Sequence, residues 1–204
     1  MAQITTGIRS VLSSPWVYDV FQDIMGAKKV RMDLVHQHIQ AKEGFRILDI
    51  GCGTARILDY LPEVEYYGFD PSQRYIDEAV QRYGSRGKFH CSMLEQAKVS
   101  DLGPFNVVIA TGLLHHLDDK QAIQLLNLAQ SALKPGGRLV TNDPCNDTVQ
   151  NPISRFLVNR DRGQNVRTPS DYSTLAKSVF PSTSAHVKHW ALIPYTRCTM
   201  VCIK

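Results

Sequence analysis

The sequence lacks long hydrophobic runs: no stretch approaches the roughly 20 apolar residues that a membrane-spanning helix needs. Its N-terminus also lacks the continuous apolar segment of a secretory signal peptide. There are only five cysteines, an odd number, and no two of them form a CxxC pair. We therefore expect a cytoplasmic protein with reduced thiols, and neither a disulfide framework nor a zinc or other metal site.

Charge of one sign is not in large excess either, since 23 Lys and Arg residues face 19 Asp and Glu residues, for a formal net charge of +4. The basic residues are scattered among acidic ones, which is weak support for a nucleic-acid partner. Hydrophobic residues make up 43% and charged residues 21%, an ordinary globular composition. A chain of 204 residues can bury about 70% of its unfolded surface, which excludes disorder, collagen and a disulfide-stapled miniprotein. We expect a single domain over residues 1–204.

Between residues 43 and 145, short apolar runs alternate with helical stretches. Three helices are predicted in this part. The first follows the first strand and continues to about Leu61, the second is capped by Ser72, and the third is capped by Asp118 or Asp119. This alternation predicts parallel βαβ units and a doubly wound α/β fold with a mostly parallel sheet. The predicted strands are Arg46–Ile50, Tyr66–Phe69, Lys88–Cys91, Asn106–Thr111 and Arg138–Thr141.

The two flanks differ from this central part. Residues 1–42 are predicted to form two lid helices broken near Gly26. In residues 146–204, a polar, Arg-rich stretch precedes a helix that Thr168 caps and that continues to about Phe180. Two alternating stretches, His186–Pro194 and Thr196–Ile203, then predict a C-terminal antiparallel hairpin.

The segment that carries chemistry is a Gly-rich turn after the first predicted strand, ILDIGCGTAR at 47–56. Gly51 and Gly53 allow the backbone to turn tightly and to approach a ligand closely. If a helix begins directly after the turn, its free N–H groups favour an anionic group.

Two cofactor classes use such a turn. A dinucleotide site of the GxGxxG type needs its third glycine at position 56, which is Arg in this chain. The segment instead resembles the DxGxGxG turn of class I S-adenosylmethionine-dependent methyltransferases, with Ala55 at the third glycine position. We expect the Ala55 methyl group to lie beside the ligand.

The resemblance covers about one hundred residues, 46–145, in order and spacing. Asp70 ends the second strand, at the position where an acid of the family binds the ribose hydroxyls. The segment NVVIATGLLHHL at 106–117 resembles the family's fourth strand and the loop after it. The segment LKPGGRLV at 133–140 resembles the turn into the family's fifth strand. The likeness is to small-molecule members, of the type 11 and type 25 kind. It implies a seven-stranded Rossmann-like sheet and S-adenosylmethionine as cofactor, with S-adenosylhomocysteine as product.

The resemblance also implies which residues hold the cofactor. Asp49 would orient the glycine turn, Asp70 would accept the ribose hydroxyls, and the stretch after the third strand would cradle the adenine without the acid that relatives often carry there. Alternatives stay open: Asp70 as a helix cap, Met93 as core, Tyr75 as helix cover, and Cys52 as a small buried residue. The implied cofactor residues are Asp49, Gly51, Cys52, Gly53, Thr54, Asp70, Pro71, Ser72, Tyr75, Ser92, Met93, Leu94, Ala110 and Thr111.

Three residues at the predicted carboxyl edge of the sheet are candidates for a general base that would serve a hydroxyl acceptor. His115 and His116 follow the fourth strand, and Asp143 follows the fifth. A histidine is a suitable base because its ordinary pKa is about 6.5. The alternative is that the histidine pair packs under the cofactor without touching the acceptor.

A cluster of arginines, Arg155, Arg160, Arg162 and Arg167, lies in the segment where relatives build the lid over the acceptor. Because arginine binds carboxylates and phosphates bidentately, we predict that Arg160 and Arg167 bind an anionic small-molecule acceptor. The alternative is a solvated surface. An Asn- or Asp-Pro-Pro-Tyr motif is missing after the fourth strand, which argues against methylation of a nucleobase amino group.

The leading hypothesis is a methyltransferase that acts on a small molecule, at an oxygen nucleophile. The alternatives are a methyltransferase acting on protein or RNA, a catalytically silent cofactor-binding protein of the same fold, and an NAD-dependent oxidoreductase, which Arg56 opposes. We expect no membrane partner and a monomer or homodimer, and nucleic acid is disfavoured.

Overall fold

The computed structural model of the protein describes residues 27–94, 99, 101–160, 163–190 and 195–204. The first predicted lid helix, the predicted break near Gly26 and Arg162 lie outside the described residues. No helix in the described ranges is both long and apolar enough to cross a membrane.

Seven strands form one sheet in the order β3-β2-β1-β4-β5-β7-β6. The pairs from β3 to β5 are parallel, and β7 runs antiparallel to both β5 and β6. This arrangement confirms the predicted mostly parallel, doubly wound sheet with a C-terminal antiparallel hairpin. The strands are β1 Arg46–Ile50, β2 Glu65–Asp70, β3 Gly87–Cys91, β4 Phe105–Thr111, β5 Leu133–Pro144, β6 Ser182–Trp190 and β7 Tyr195–Ile203.

Five α-helices and four short helical turns are described around the sheet. The α-helices are α1 Ala27–Asp33, α2 Gln73–Tyr83, α3 Asp119–Ala132, α4 Pro152–Asn159 and α5 Pro169–Lys177. The turns are a π-helical stretch at Leu34–Ile39 and 3-10 helices at Arg56–Asp59, Gly84–Arg86 and Leu114–His116.

Two helix starts agree with their sequence signals. Asp118 and Thr168 each accept a hydrogen bond from the backbone N–H three residues later, and each belongs to a full capping box. Asp118, not Asp119, is therefore the cap of α3. Ser72 is the residue before α2, but its side chain makes no capping hydrogen bond.

One predicted helix is wrong in extent. The helix expected from the glycine turn to about Leu61 is a single 3-10 turn, Arg56–Asp59. The polar stretch after β5 contains a helix that was not predicted, α4, which begins with Pro152 behind an Asn151 cap.

Apolar clusters cover both faces of the sheet. Leu48 and Val108 pack with α3 and α5 on one face, whereas Ile47 and Val107 pack with the helical segment at 34–39 on the other. This alternation accounts for the nearly continuous apolar run of β4, because both of its faces are buried. Burial of each such side chain contributes about 1.5–3 kcal/mol. The sheet is thereby a rigid support for the loops at its carboxyl edge.

The cysteines are free thiols. Cys198 and Cys202 are both buried on one face of β7, within the cluster that α3 and α5 cover. Burial raises the pKa of Cys198 to about 12 and that of Cys202 to about 11. Both side chains therefore pack in the apolar core.

Candidate active site

The glycine turn after β1 contains three consecutive odd-numbered residues with left-handed backbone. The φ angles are 74° at Gly51, 55° at Gly53 and 54° at Ala55. A Cβ at Gly51 would lie 3.4 Å from the side chain of Leu113, in the loop after β4, whereas a Cβ at Gly53 would meet no described atom within 4 Å. The turn is thus bounded on one side by Leu113 and open at Gly53.

Ala55 departs from the expectation that its methyl group lies beside the ligand. The residue is buried and its side chain belongs to the apolar cluster under the sheet, with Leu58 and Ile47. A left-handed alanine costs about 1–2 kcal/mol, because Cβ crowds the following carbonyl oxygen. The methyl group of Ala55 therefore packs in the core, while the backbone of this residue is strained.

The backbone amides of the turn are already bonded within the protein. Gly51 N and Cys52 N donate to Phe69 O at 2.8 and 3.1 Å, and Ala55 N donates to Cys52 O at 2.9 Å. Gly51 N and Cys52 N therefore fasten the turn to β2, and the helix that follows the turn is only one 3-10 turn. Anion binding at the start of this short helix stays a prediction.

Cys52 lies tightly against the neighbouring strand. A Cβ added at Gly68 of β2 would come within 2.8 Å of the Cys52 Sγ, so only glycine leaves room for this side chain. Burial raises the pKa of the Cys52 thiol well above its ordinary value. The alternative that Cys52 is a small buried residue holds in part, because its Sγ packs against Gly68 but the residue is half-buried.

Asp70 joins the ends of β1 and β2. Its Oδ2 accepts from Gly53 N at 3.1 Å, and its Oδ1 accepts from Ser72 N at 2.8 Å. Burial raises the pKa of Asp70, and these two backbone hydrogen bonds oppose that rise. Each carboxylate oxygen keeps a second lone pair. Asp70 therefore organises the turn and the start of α2, and it also fits an acceptor for two neighbouring ribose hydroxyls.

Asp49 lies below the same turn and is paired with Tyr66, whose hydroxyl donates to Oδ2 at 2.6 Å. Both side chains are buried. Burial raises the pKa of Asp49 to about 7, the Tyr66 hydrogen bond lowers it, and the neighbouring Asp70 charge raises it. The other oxygen, Oδ1, is buried without a hydrogen-bond partner in the described part of the chain. An unsatisfied buried acceptor beside the turn fits the ammonium group of an amino acid moiety.

The remaining predicted cofactor residues follow β1, β2 and β3 or end β4, at the carboxyl edge of the sheet. Met93 is 54% exposed, so the alternative that it fills the core is wrong. Ala110 is fully buried in the apolar core, and Leu94 packs against that core. These cofactor roles stay predictions. Of the others, Thr54 is buried, Ser72, Tyr75, Ser92 and Thr111 are half-buried, and Pro71 is exposed.

Two of the three candidate bases form a buried pair. His115 Nδ1 lies 2.8 Å from Asp143 Oδ1, and His115 N donates to the same oxygen at 3.3 Å. The side chains are 6% and 1% exposed, and Asp143 lies within β5 rather than after it. We infer that Nδ1 carries the proton, because a carboxylate can only accept. The pair holds the loop after β4 onto β5.

The segment before α5 covers this pair. Asn165 N donates to His115 O at 2.9 Å, and a Cβ at Gly163 would come within 2.5 Å of the same oxygen. The neighbouring His116 is half-buried, and its ring centroid lies 4.1 Å from that of His115. His116 is thus the more accessible of the two histidines.

Arg167 has a structural position that does not fit its predicted role in substrate binding. Its five N–H groups all donate within the protein. Two bond the carboxylate of Asp119 at 2.8 and 3.0 Å, and the others bond the carbonyl oxygens of Leu114, Leu117 and Asn165 at 2.7–3.2 Å. The guanidinium therefore fastens the loop after β4 to α3 and has no donor left for a ligand.

Arg160, the second predicted substrate residue, lies elsewhere. It is exposed at the end of α4, with its guanidinium carbon 4.2 Å from the centroid of the Phe156 ring. Arg160 is thus exposed, whereas Arg167 is buried. The role of Arg160 in substrate binding stays a prediction.

Sequence reasoning missed three residues of this region. Leu113 bounds the glycine turn, Tyr66 bonds Asp49, and Gly163 packs against His115. Only the tyrosine could be inferred from the predicted strands, because Tyr66 and Asp49 lie on the neighbouring parallel strands β2 and β1, with Asp49 paired to Gly68. The other two contacts join segments that are distant in the sequence.

A family model described as a methyltransferase domain matches residues 48–139 of the chain. This segment begins in β1 and ends in β5, so it contains the glycine turn, Asp70 and the loop with the two histidines.

Curated relatives and solved structures agree with this match. The chain is 26% identical over 138 residues to a ubiquinone biosynthesis O-methyltransferase of Idiomarina loihiensis, covering 64% of this chain and 56% of that protein. It is 26% identical over 189 residues to a tRNA U34 carboxymethyltransferase of Aeromonas salmonicida, covering 86% and 54%. The chain thus spans just over half the length of these relatives.

A solved structure with a similar fold is the N-methyltransferase NodS from Bradyrhizobium japonicum in complex with S-adenosyl-L-homocysteine. The TM-score is 0.66 at 14% identity, covering 87% of this chain and 86% of that one. At this identity the likeness concerns the fold alone. Together with the matched segment and the geometry of the glycine turn and Asp70, it leads to one conclusion. Residues 48–139 match a methyltransferase domain, and the relatives and the fold support the resemblance of this segment to class I S-adenosylmethionine-dependent methyltransferases.

Proposed function

We propose that this chain transfers a methyl group from S-adenosylmethionine to an oxygen of a small-molecule acceptor. One observation carries the cofactor part of the proposal: the Asp70 carboxylate bridges Gly53 N and Ser72 N at the open side of the glycine turn. Support for an oxygen acceptor comes from the Idiomarina O-methyltransferase relative and from the missing nucleobase-type motif after β4.

In this proposal two aspartates bind different parts of S-adenosylmethionine, the ribose and the amino acid moiety. Asp70 accepts hydrogen bonds from the ribose hydroxyls, and the buried Oδ1 of Asp49 accepts from the ammonium group. When bound, S-adenosylmethionine supplies an electrophilic methyl group on a sulfonium sulfur. Because Tyr66 and the backbone hold both carboxylates in place beforehand, binding requires little reorganisation at these positions.

The loop after β4 that contains His115 and His116, here called the histidine loop, lies on the side of the site where the acceptor binds in this proposal. In this proposal the His115–Asp143 pair is a positioning pair, because both side chains are buried and His115 is covered by the segment at 163–165. His116, which is half-buried in the same loop, receives the proton of the acceptor hydroxyl. A general base of this kind contributes about a 10²–10⁴-fold rate increase.

A direct test measures thermal unfolding with S-adenosylmethionine, S-adenosylhomocysteine, NAD and NADP. A ligand at 100 times its Kd stabilises the folded state by about 2.7 kcal/mol, which raises Tm by roughly 5–10 °C in a domain of this size. We expect this rise with the two sulfur nucleotides only. It is lost in Asp70→Asn and kept in Asp77→Asn, an exposed aspartate on α2. A rise with NAD alone, or none at all, overturns the proposal.

The second candidate function is methyl or related group transfer to tRNA, which the Aeromonas relative favours. Incorporation of label from methyl-labelled S-adenosylmethionine separates the two candidates. Small phenols and carboxylates are offered in one series and unmodified tRNA in the other. Label in the small molecules supports the first proposal, and label only in tRNA replaces it with the second.

A further inference from the structure

A cavity lined by both apolar and charged side chains lies away from the glycine turn, between α1 and the β5-β7-β6 end of the sheet. Its volume is about 220 Å³, and residues of three distant parts of the sequence line it. The polar lining consists mainly of Asp33, His38, Asn142, His186, Lys188 and Arg197. None of the predicted cofactor, catalytic or substrate residues belongs to this lining.

The charge of the cavity is positive. Lys188 Nζ lies 2.5 Å from Asp33 Oδ2, so one cation and the one carboxylate of the lining are paired. Within the described ranges, the Arg197 guanidinium has no ion pair, and its carbon lies 5.1 Å from the centroid of the Tyr195 ring. Arg197 therefore leaves an uncompensated charge at the cavity.

Two histidines add polar groups to the same wall. The ring centroids of His38 and His186 are 5.0 Å apart. Burial lowers the pKa of His38, the neighbouring His186 and Lys188 lower it further, and Asp33 opposes this. The lining thus combines two cations, two imidazoles and one acid.

The cavity adjoins the loop that follows β4. Asn142 is buried in β5, pairs with Thr111 at the end of β4, and its carbonyl oxygen accepts from Gly112 N at 3.0 Å. Its side-chain Oδ1 lies 3.5 Å from the Thr199 hydroxyl, which also lines the cavity. Asn142 therefore belongs both to the cavity and to the carboxyl edge of the sheet that carries the histidine loop.

We propose that this cavity binds an oxyanion, a carboxylate or a phosphate group, of the methyl acceptor. The inference rests on the proposed function in one respect, namely that the bound anion belongs to the methyl acceptor. The Arg197 guanidinium offers two parallel N–H donors that match the oxygens of either group, and the polar lining adds further donors. A cavity needs about 10–15 Å³ to hold one water molecule, so 220 Å³ holds a phosphate or carboxylate with part of the molecule that carries it.

The cavity offers an anion-binding arginine in place of Arg167, while the predicted role of Arg160 stays a prediction. Arg167 has all its donors engaged, and Arg160 lies exposed on α4. Arg197 instead faces a cavity whose walls exclude part of the solvent, where an ion contact is screened less than at an open surface.

The test titrates the protein with inorganic phosphate, and separately with acetate, at fixed pH and constant ionic strength adjusted with NaCl. The NMR signals of the His38 and His186 ring protons report occupancy of the cavity. We expect saturable shifts, with an apparent Kd that rises at least tenfold in Arg197→Met. The matched control is Arg82→Met, which removes an exposed arginine of α2 at the opposite end of the sheet and leaves the Kd unchanged. Saturation with only one anion identifies phosphate or carboxylate as the group recognised.

Equal Kd values in the wild type and Arg197→Met, or shifts that never saturate, overturn the inference. If Arg197→Met does not fold, the smaller changes Arg197→Lys and His186→Gln are titrated instead, and each is expected to weaken binding. Stabilisation by S-adenosylhomocysteine is measured in the same variants and is expected to be unchanged. If S-adenosylhomocysteine does not stabilise the wild type, the proposed function is contradicted. If phosphate binding is insensitive to Arg197, only the anion-binding role of the cavity is contradicted.

Discussion

The imidazole Nδ1 of His115 lies 2.8 Å from the Oδ1 of Asp143, and both side chains are buried where the loop after β4 meets β5. The chain contains a second histidine–aspartate pair, His189 with Asp147 at 3.0 Å, whose histidine is 41% exposed. The two pairs have similar distances but different burial. Burial decides how much each pair contributes to the free energy of unfolding, because an unpaired polar group costs little in water and about 1–3 kcal/mol when it is buried.

We therefore predict that His115→Ala lowers the free energy of unfolding by at least about 2 kcal/mol, since the Asp143 carboxylate loses a buried donor. The matched change His189→Ala lowers it by less than about 1 kcal/mol. Urea unfolding measures both. A cycle with Asp143→Ala is expected to show a coupling of about 1–3 kcal/mol between His115 and Asp143. Additive losses in that cycle contradict the pairing.

The pH dependence of stability tests the Asp49–Tyr66 pair. The pKa of folded Asp49 is about 7, above the ordinary 3.8, so the folded state binds this proton more tightly than the unfolded state. The contribution of Asp49 to stability is therefore highest below about pH 4 and falls as the pH rises towards 7. At 1.36 kcal/mol per pKa unit the fall is at most about 4 kcal/mol.

Urea unfolding from pH 4 to 8 measures this effect as the difference between the wild type and Asp49→Asn. We expect the wild type to lose stability relative to the variant as the pH rises. Because the Tyr66 hydrogen bond lowers the pKa of Asp49, Tyr66→Phe is expected to move the transition to higher pH. A wild type and Asp49→Asn with parallel pH profiles would show that Asp49 does not titrate in this range.

Arg167 is expected to affect stability rather than acceptor binding. Arg167→Lys loses the planar fork that bonds the carbonyl oxygens of Leu114 and Leu117, so we predict a loss of about 2–4 kcal/mol in the free energy of unfolding. The control Arg160→Lys, at an exposed position, stays within about 0.5 kcal/mol. Equal stability of the two variants would restore Arg167 as a candidate ligand residue.

The left-handed Ala55 gives a prediction about glycine. In Ala55→Gly, relief of the backbone offsets the loss of a buried methyl group, so the free energy of unfolding changes by less than about 1 kcal/mol. The buried Ala79 of α2 has no such strain to release, and Ala79→Gly costs about 2 kcal/mol from helix propensity and the lost methyl. Thermal or urea unfolding compares the two. Equal losses would mean that Ala55 is not strained.

Much of the fold and part of the candidate site could be predicted because the signals are local. The glycines at 51 and 53, the apolar run of β4, and the caps Asp118 and Thr168 depend on backbone preferences and on neighbours within a few residues. Asp70 was found for the same reason, since it ends a strand at a fixed distance from the turn. The helix predicted to about Leu61 is wrong and the helix at 152–159 was missed, because the helical tendency of both segments is weak and packing decides their form.

The sequence by itself determined the doubly wound class, the glycine turn and its acidic partner, through periodicity and backbone preferences that act over a few residues. The tertiary structure alone decided that Arg167 is a buried clamp, that His115 bonds Asp143, and that α1, β5 and the C-terminal hairpin enclose a basic cavity. These relationships join residues from 28 to 155 positions apart. No local pattern specifies them, because a buried polar group takes whichever partner the folded chain brings to it.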